Sequence, residues 1–184
     1  MLAFGLTAPT AAADASDDRR ALVMLRVLAY DKHLGDRIGD DSVAIVVAFP
    51  PTEAGNAERS RWTAAFDSVS QLKVAGRSVT VVAHRFEDAR KLDRELQGAH
   101  AAALVVCDGL TRSIPVGELA AVTRARKVLS FSTREPEVVK GLAIGVVTGA
   151  KRDEIVVNLT AVTAEGVKFD AGLLQLARTV EDRP

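Results

Sequence analysis

The chain has 184 residues, with 24 Lys+Arg against 24 Asp+Glu, so its formal net charge is zero and it lacks the basic excess that a nucleic-acid binder needs for phosphates. Apolar residues make up 48% and aromatic residues only 4%, which supplies a core but no stacking platform for bases or sugars. One cysteine excludes an internal disulfide and any multi-cysteine metal site, and the three histidines are scattered.

Residues Met1 to Ala15 carry no basic residue and end in Ala11-Ala12-Ala13-Asp14-Ala15. This reads as the small-residue end of a secretory signal, incomplete because a basic start and a full apolar stretch are missing and a true start codon would lie upstream. The alternative is an Ala-rich tail on a cytoplasmic protein. No run of 18 apolar residues exists, so direct membrane insertion is not expected.

From Ser16 onward the pattern is regular, and residues 16–184 read as one domain. Ser16-Asp17-Asp18 opens a helix whose apolar stripes reach Leu34, with Arg26 between them expected to extend its stem to solvent. Val43 to Phe49 is a short β-branched run, predicting a strand buried on both faces and ended by Pro50-Pro51. Glu53 to Leu72 is helical by pattern, with Trp62, Ala65, Phe66 and Val69 inward. Val79 to Ala83 is a strand, Glu87 to Leu96 a charged helix, and Ala101 to Val106 a buried strand. Val116 to Ala125 is a helix with Pro115 at its start, Val128 to Phe131 a strand, and Glu135 to Lys140 a helical turn.

The last third changes texture. Leu142 to Val147, Ile155 to Leu159 and Val167 to Phe169 read as short strands. Gly149 to Glu154 reads as a hairpin loop, Thr160 to Glu165 as a helical turn and Leu173 to Val180 as a closing helix. Alternating helices and strands predict an α/β fold: three layers, a largely parallel sheet flanked by helices, with antiparallel edge strands from the C-terminal third.

There is no G-x-G-x-x-G after the first strand, no P-loop, no H-E-x-x-H and no G-x-S-x-G. No catalytic residue, cofactor or metal site is therefore expected. Cys107, alone at the end of an apolar strand, is expected to be a buried small hydrophobe. The most informative polar segments are Thr111-Arg112-Ser113 after the third strand and Ser132-Thr133 after the fourth. Both fall at the strand ends where open α/β sheets bind ligands, and hydroxyls with a guanidinium before a helix suit an anion. They are the candidate ligand-binding residues; the plainer alternative is a capped turn with a surface arginine.

The C-terminal third carries a more specific pattern. Gly141-Leu142-Ala143-Ile144-Gly145 is followed by Ile155-Val156-Val157-Asn158-Leu159, then Gly166-Val167-Lys168-Phe169 and Leu173-Leu174-Gln175-Leu176-Ala177. This resembles the end of the YfiR-like (YfiR/HmsC-like) family of exported bacterial regulatory proteins, and the resemblance extends loosely over residues 20 to 180. Gly141, Gly145, Asn158, Leu159, Leu173, Leu174 and Leu176 are then family-motif residues with structural roles: close packing at the glycines, a side-chain tie at Asn158, and a sealed core at the leucines.

The resemblance implies a periplasmic regulator without catalysis, similar to repressors of membrane-bound diguanylate cyclases in cyclic di-GMP signalling. Its implied partner is a membrane-anchored signalling protein met through its periplasmic part, with a homodimer as a further association and no nucleic-acid partner. The other functional expectation is a small-ligand (solute) binding domain using a polar cleft at the strand ends. Two features depart from the family: the first helix lacks an aromatic-rich Trp-Pro end, and one cysteine cannot form the redox-responsive disulfide some members carry.

Overall fold

The computed structural model describes residues 15–39, 42–149 and 152–181. Residues 1–14, most of the signal-like segment, and the tip of the Gly149–Glu154 loop lie outside that set.

The first helix, α1 (Ala15–Ala29), carries Asp17 and Asp18 in its first turn, where the helix dipole favours acids. It stops five residues before Leu34, the end expected from the apolar pattern. The reason is Asp31, whose buried carboxylate accepts from the backbone N–H groups of His33 and Lys168 at 3.0 and 3.1 Å and draws the chain out of the helix. Leu34 is still buried, but in a separate turn, α2 (Leu34–Arg37). Arg26 is exposed, as its position between the stripes predicts.

Strand β1 (Ser42–Phe49) is buried along both faces. Val43, Ile45, Val47 and Phe49 join one core, while Val46 and Ala48 join the other. Thr52 then caps α3 (Glu53–Ser68), its hydroxyl accepting from Gly55 N at 3.0 Å. Gly55 is required there, because a Cβ would stand 2.2 Å from the Pro50 carbonyl oxygen. Trp62, Ala65 and Phe66 are buried against the sheet.

The alternation continues through β2 (Ser78–Arg85), α4 (Ala89–Gly98) and β3 (Ala101–Val106). A single 3-10 turn, Leu110–Arg112, leads to α5 (Val116–Arg126), β4 (Leu129–Ser132) and α6 (Glu135–Val139). Strands β5 (Ile144–Thr148) and β6 (Asp153–Asn158) form a hairpin, followed by α7 (Leu159–Ala164), α8 (Ala171–Leu176) and β7 (Ala177–Val180).

One sheet holds all seven strands in the order β2-β1-β3-β4-β5-β6-β7. The first five run parallel; β6 pairs antiparallel to β5 and β7 pairs parallel to β6, so the C-terminal third contributes two strands of reversed direction at one edge. Residues of α1, α3 and α7 bury one face of the sheet, and those of α4 and α5 the other. This is the expected three-layer α/β architecture.

Three expectations at the C-terminus are corrected. Val167 to Phe169 is not a strand: it contributes only an isolated bridge between Phe169 and Asp31. The closing helix ends at Leu176, and Ala177 turns extended (φ −104°, ψ 153°) to begin β7, whose Arg178-Thr179-Val180 suits the unpaired side of β6. Of the three leucines expected to seal the core, Leu173 is 1% exposed, whereas Leu174 and Leu176 are 37% and 65% exposed. A helix of six residues capped by Asp170 presents only one of them to the sheet.

Candidate functional site

In a sheet of this order the direction of winding reverses between β1 and β3, and the crevice beyond their carboxyl ends is where such folds usually bind ligands. Here the loops after the two strands meet across that crevice. The Glu58 carboxylate, from the second turn of α3, reaches across to accept from Gly109 N at 3.1 Å. A Cβ at Gly109 would stand 3.1 Å from both that carboxylate and the Pro50 ring, so the two loops are closely packed. Burial holds the Glu58 carboxyl above its usual range; nearby Asp108 acts in the same direction, and the Gly109 amide and Arg61 act against it.

Cys107 ends the strand run at this point with no exposure. Burial pushes its thiol up, with the Glu58 and Asp108 carboxylates adding to the effect, so it is far from a nucleophilic thiolate. It packs within the core shared with α1 and α3.

The five candidate ligand residues lie at the carboxyl ends of β3 and β4, as expected, but the hydroxyls of Thr111, Ser132 and Thr133 already have partners. Thr111 and Ser132 both donate to the buried carboxylate of Glu137, one to each oxygen. Ser132 Oγ also accepts from Arg134 N at 2.9 Å, and the Arg134 guanidinium lies 3.8 Å from Glu137. Thr133 donates to Asp108. Arg112 and Ser113 are exposed. The two strand ends are thus joined through Glu137 and Asp108, residues that the sequence did not single out. A Glu after a helix-starting Pro136 gave no signal that its side chain would turn inward.

Beside this network lies an open groove of about 850 Å³, within the usual range for small-molecule sites. Ile114, Pro115 and Val116 at the start of α5 form one wall, and Pro136 and Val139 of α6 the other. Thr111 is the one candidate residue lining it, and Glu135 and Lys140 stand at its rim. Glu135 is held by Arg178 of β7 through two hydrogen bonds of 2.9 and 2.7 Å, which keeps its carboxyl below the usual range. The groove is therefore apolar in its walls, with its acidic rim neutralised.

The family-motif positions sit just behind α6. A Cβ at Gly145 would stand 2.9 Å from Val138 Cγ2, so glycine lets α6 lie directly on β5. Gly141 has φ +117°, a conformation that other residues rarely adopt. Asn158 Nδ2 donates to the Val138 carbonyl at 2.8 Å while its Oδ1 caps α7 by accepting from Ala161 N at 3.0 Å. Leu159 is 45% exposed. Among the described residues, no helix is long and apolar enough to cross a membrane.

Comparison with solved structures shows the same fold at low identity. The ligand-free, open form of a substrate binding protein with adhesive properties from Clostridium difficile matches with a TM-score of 0.60 and 12% identity, over 90% of this chain and 60% of that one. A conserved domain protein from Vibrio cholerae gives 0.60 and 12%, over 89% and 59%. An ABC domain in complex with L-Trp from Streptococcus pneumonia gives 0.54 and 12%, over 84% and 62%. The chain spans only about 60% of the length of these structures. No curated protein matches its sequence. Residues 55–178, which carry the strand-end network, the groove walls, Gly145 and Asn158, match the sequence pattern of the YfiR/HmsC-like proteins, and the chain belongs to that family.

Proposed function

We propose that the chain acts by binding and not by catalysis: a periplasmic regulatory protein that restrains a membrane-anchored signalling protein, of the diguanylate cyclase kind, through that partner's periplasmic part. Membership of the YfiR/HmsC-like family supports the regulatory reading. The observation that carries it is the state of the strand ends. Three of the hydroxyls there are engaged with carboxylates, Thr111 and Ser132 with Glu137 and Thr133 with Asp108, and Cys107 lies inside the core, while Arg112 and Ser113 are exposed. What stays open is an apolar groove between α5 and α6, which suits recognition of an apolar group.

The test is capture from membranes with the tagged chain exported to the periplasm, paired with measurement of cyclic di-GMP in cells. The expected result is recovery of an inner-membrane protein bearing a cyclase domain, loss of that recovery on Val139→Asp, and higher cyclic di-GMP when the chain is deleted. Recovery of no inner-membrane signalling protein, with unchanged cyclic di-GMP, overturns the proposal.

The groove also supports a second reading, a small-ligand binding domain. Its volume and apolar walls favour this, and structures of similar fold include a substrate binding protein and a domain in complex with L-Trp. Since tight binding to the folded state must raise stability, a thermal-shift screen of metabolites with no stabilising compound counts decisively against it.

A further inference from the structure

Glu165 follows α7 and is completely buried, along with both side chains that bind it. Its Oε1 accepts from Thr123 Oγ1 of α5 at 2.6 Å and from Ser130 Oγ of β4 at 2.7 Å, and its Oε2 accepts from Ser130 N at 2.8 Å. Ser130 Oγ accepts in turn from Ala143 N at 2.8 Å. A single carboxyl thus joins α7 to α5, β4 and the entry to β5.

The network has room for a proton. Thr123 Oγ1 also lies 3.1 Å from the Ala120 carbonyl. When Glu165 is ionised, Thr123 donates to it. When Glu165 is neutral, its own O–H can donate to Thr123 Oγ1, whose hydrogen then turns to Ala120. Neither state requires a heavy atom to move.

Among the described residues, the charge that acts on an ionised form does so coulombically. Arg124 of α5 is the cation that acts on it, and its Nη2 donates to the Gly141 carbonyl at 3.2 Å. Lys127, the C-cap of α5, directs its Nζ to the Ala164 carbonyl at 2.8 Å. Arg37 of α2 donates to the Lys127 carbonyl at 2.6 Å and to Asp31. The segments 129–132 and 142–148, covering β4 and the start of β5, contain no charged residue. Burial is the dominant influence, so the carboxyl favours its neutral form more than a solvated one does.

Directly after Glu165 the chain runs to the end of α1. Lys168 N donates to Asp31 Oδ1 at 3.1 Å, Lys32 N donates to the Lys168 carbonyl at 2.9 Å, and Asp170 N donates to the Tyr30 carbonyl at 3.1 Å. We propose that the protonation state of Glu165 sets how firmly the segment 166–170 holds the end of α1, so that the junction of α1 and α2 is a pH-responsive part of the fold. Neutral, the carboxyl stays in its dry site and the segment is closed. Ionised, it is favoured in opened states where water reaches it, and the contacts to Tyr30, Asp31 and Lys32 open with it. This does not depend on the proposed partner or ligand.

The test is hydrogen exchange followed by mass spectrometry on the full chain at pH 5.5 and pH 8, corrected for the intrinsic chemical rate. The expected result is exchange on the order of tenfold faster at pH 8 in peptides covering 159–170 and 28–37, with β1 peptides unchanged. In Glu165→Gln this difference should vanish. Titration of the Glu165 side-chain carbon by NMR in the unsubstituted protein keeps the test open if that variant does not fold, with a midpoint well above the ordinary 4.5 expected. Equal corrected exchange at the two pH values, equal acceleration in all peptides, or a midpoint at the ordinary value overturns the proposal.

Discussion

The Asn158 carboxamide and the Val138 carbonyl, 20 residues apart in sequence, meet at 2.8 Å, and the same side chain caps α7. One buried residue therefore locks α6, a wall of the groove, to the end of β6. Asn158→Ala removes the cap and leaves the Val138 carbonyl without this donor, and should cost about 2–3 kcal/mol in urea unfolding. Asn158→Asp keeps the cap but sets an acceptor against the carbonyl, so it should also destabilise. A variant as stable as the parent would show that the tie is not needed.

The C-terminal leucines separate by exposure. Leu173→Ala should cost about 2–4 kcal/mol, the usual effect of a core cavity. Leu176, 65% exposed, should change stability by no more than about 0.5 kcal/mol on the same substitution. Equal losses at the two positions would mean that α8 packs differently in solution.

Glu165 gives a global as well as a local signal. Burial raises its carboxyl from 4.5 to about 7, against the pull of the Thr123 and Ser130 hydrogen bonds. The folded state then holds the proton more tightly than the unfolded chain. This contribution is fully present below pH 4.5 and is lost as pH rises through about 7. The loss amounts to about 3 kcal/mol at one pKa unit per 1.36 kcal/mol. Urea unfolding at pH 5 and pH 8 should show the stability of the parent relative to Glu165→Gln falling by roughly that amount. A constant difference would contradict the assignment.

Glu137 holds the strand ends together. Glu137→Ala leaves the Thr111 and Ser132 hydroxyls with only the longer 3.4 Å contacts to the Asp108 and Arg134 carbonyls and should cost about 2 kcal/mol. Because Thr111 lines the groove, the same variant should also weaken binding there, measured as reduced capture of the proposed membrane-anchored partner.

Much of the architecture was legible in the residue pattern. The run Val43 to Phe49 identified a strand covered on both faces, and the helix–strand alternation identified the parallel sheet, because local periodicity and burial coincide in those elements. The end of α1 was not legible, because it depends on Asp31 meeting Lys168, 137 residues away. The same holds for Leu176 and β7, where a helical leucine spacing is overridden by the open side of β6. At the strand ends the candidate hydroxyls were placed on the correct edge. Their engagement with Glu137 and Asp108 rests on tertiary contacts that spacing does not encode. Glu165 was unmarked for the same reason, since its partners come from two other elements.

The single cysteine has a practical consequence. With its sulfur inside the core at no exposure, the folded chain offers no thiol for cross-linking, oxidation or thiol exchange. If the chain matures in an oxidising compartment, as proposed, it makes no demand there on disulfide-forming enzymes and carries no danger of mispaired bridges within the chain. Conversely, a covalent dimer on a non-reducing gel, or a slow reaction with a thiol reagent, would count the molecules that have opened. Cys107 is a built-in gauge of how often the fold lets go.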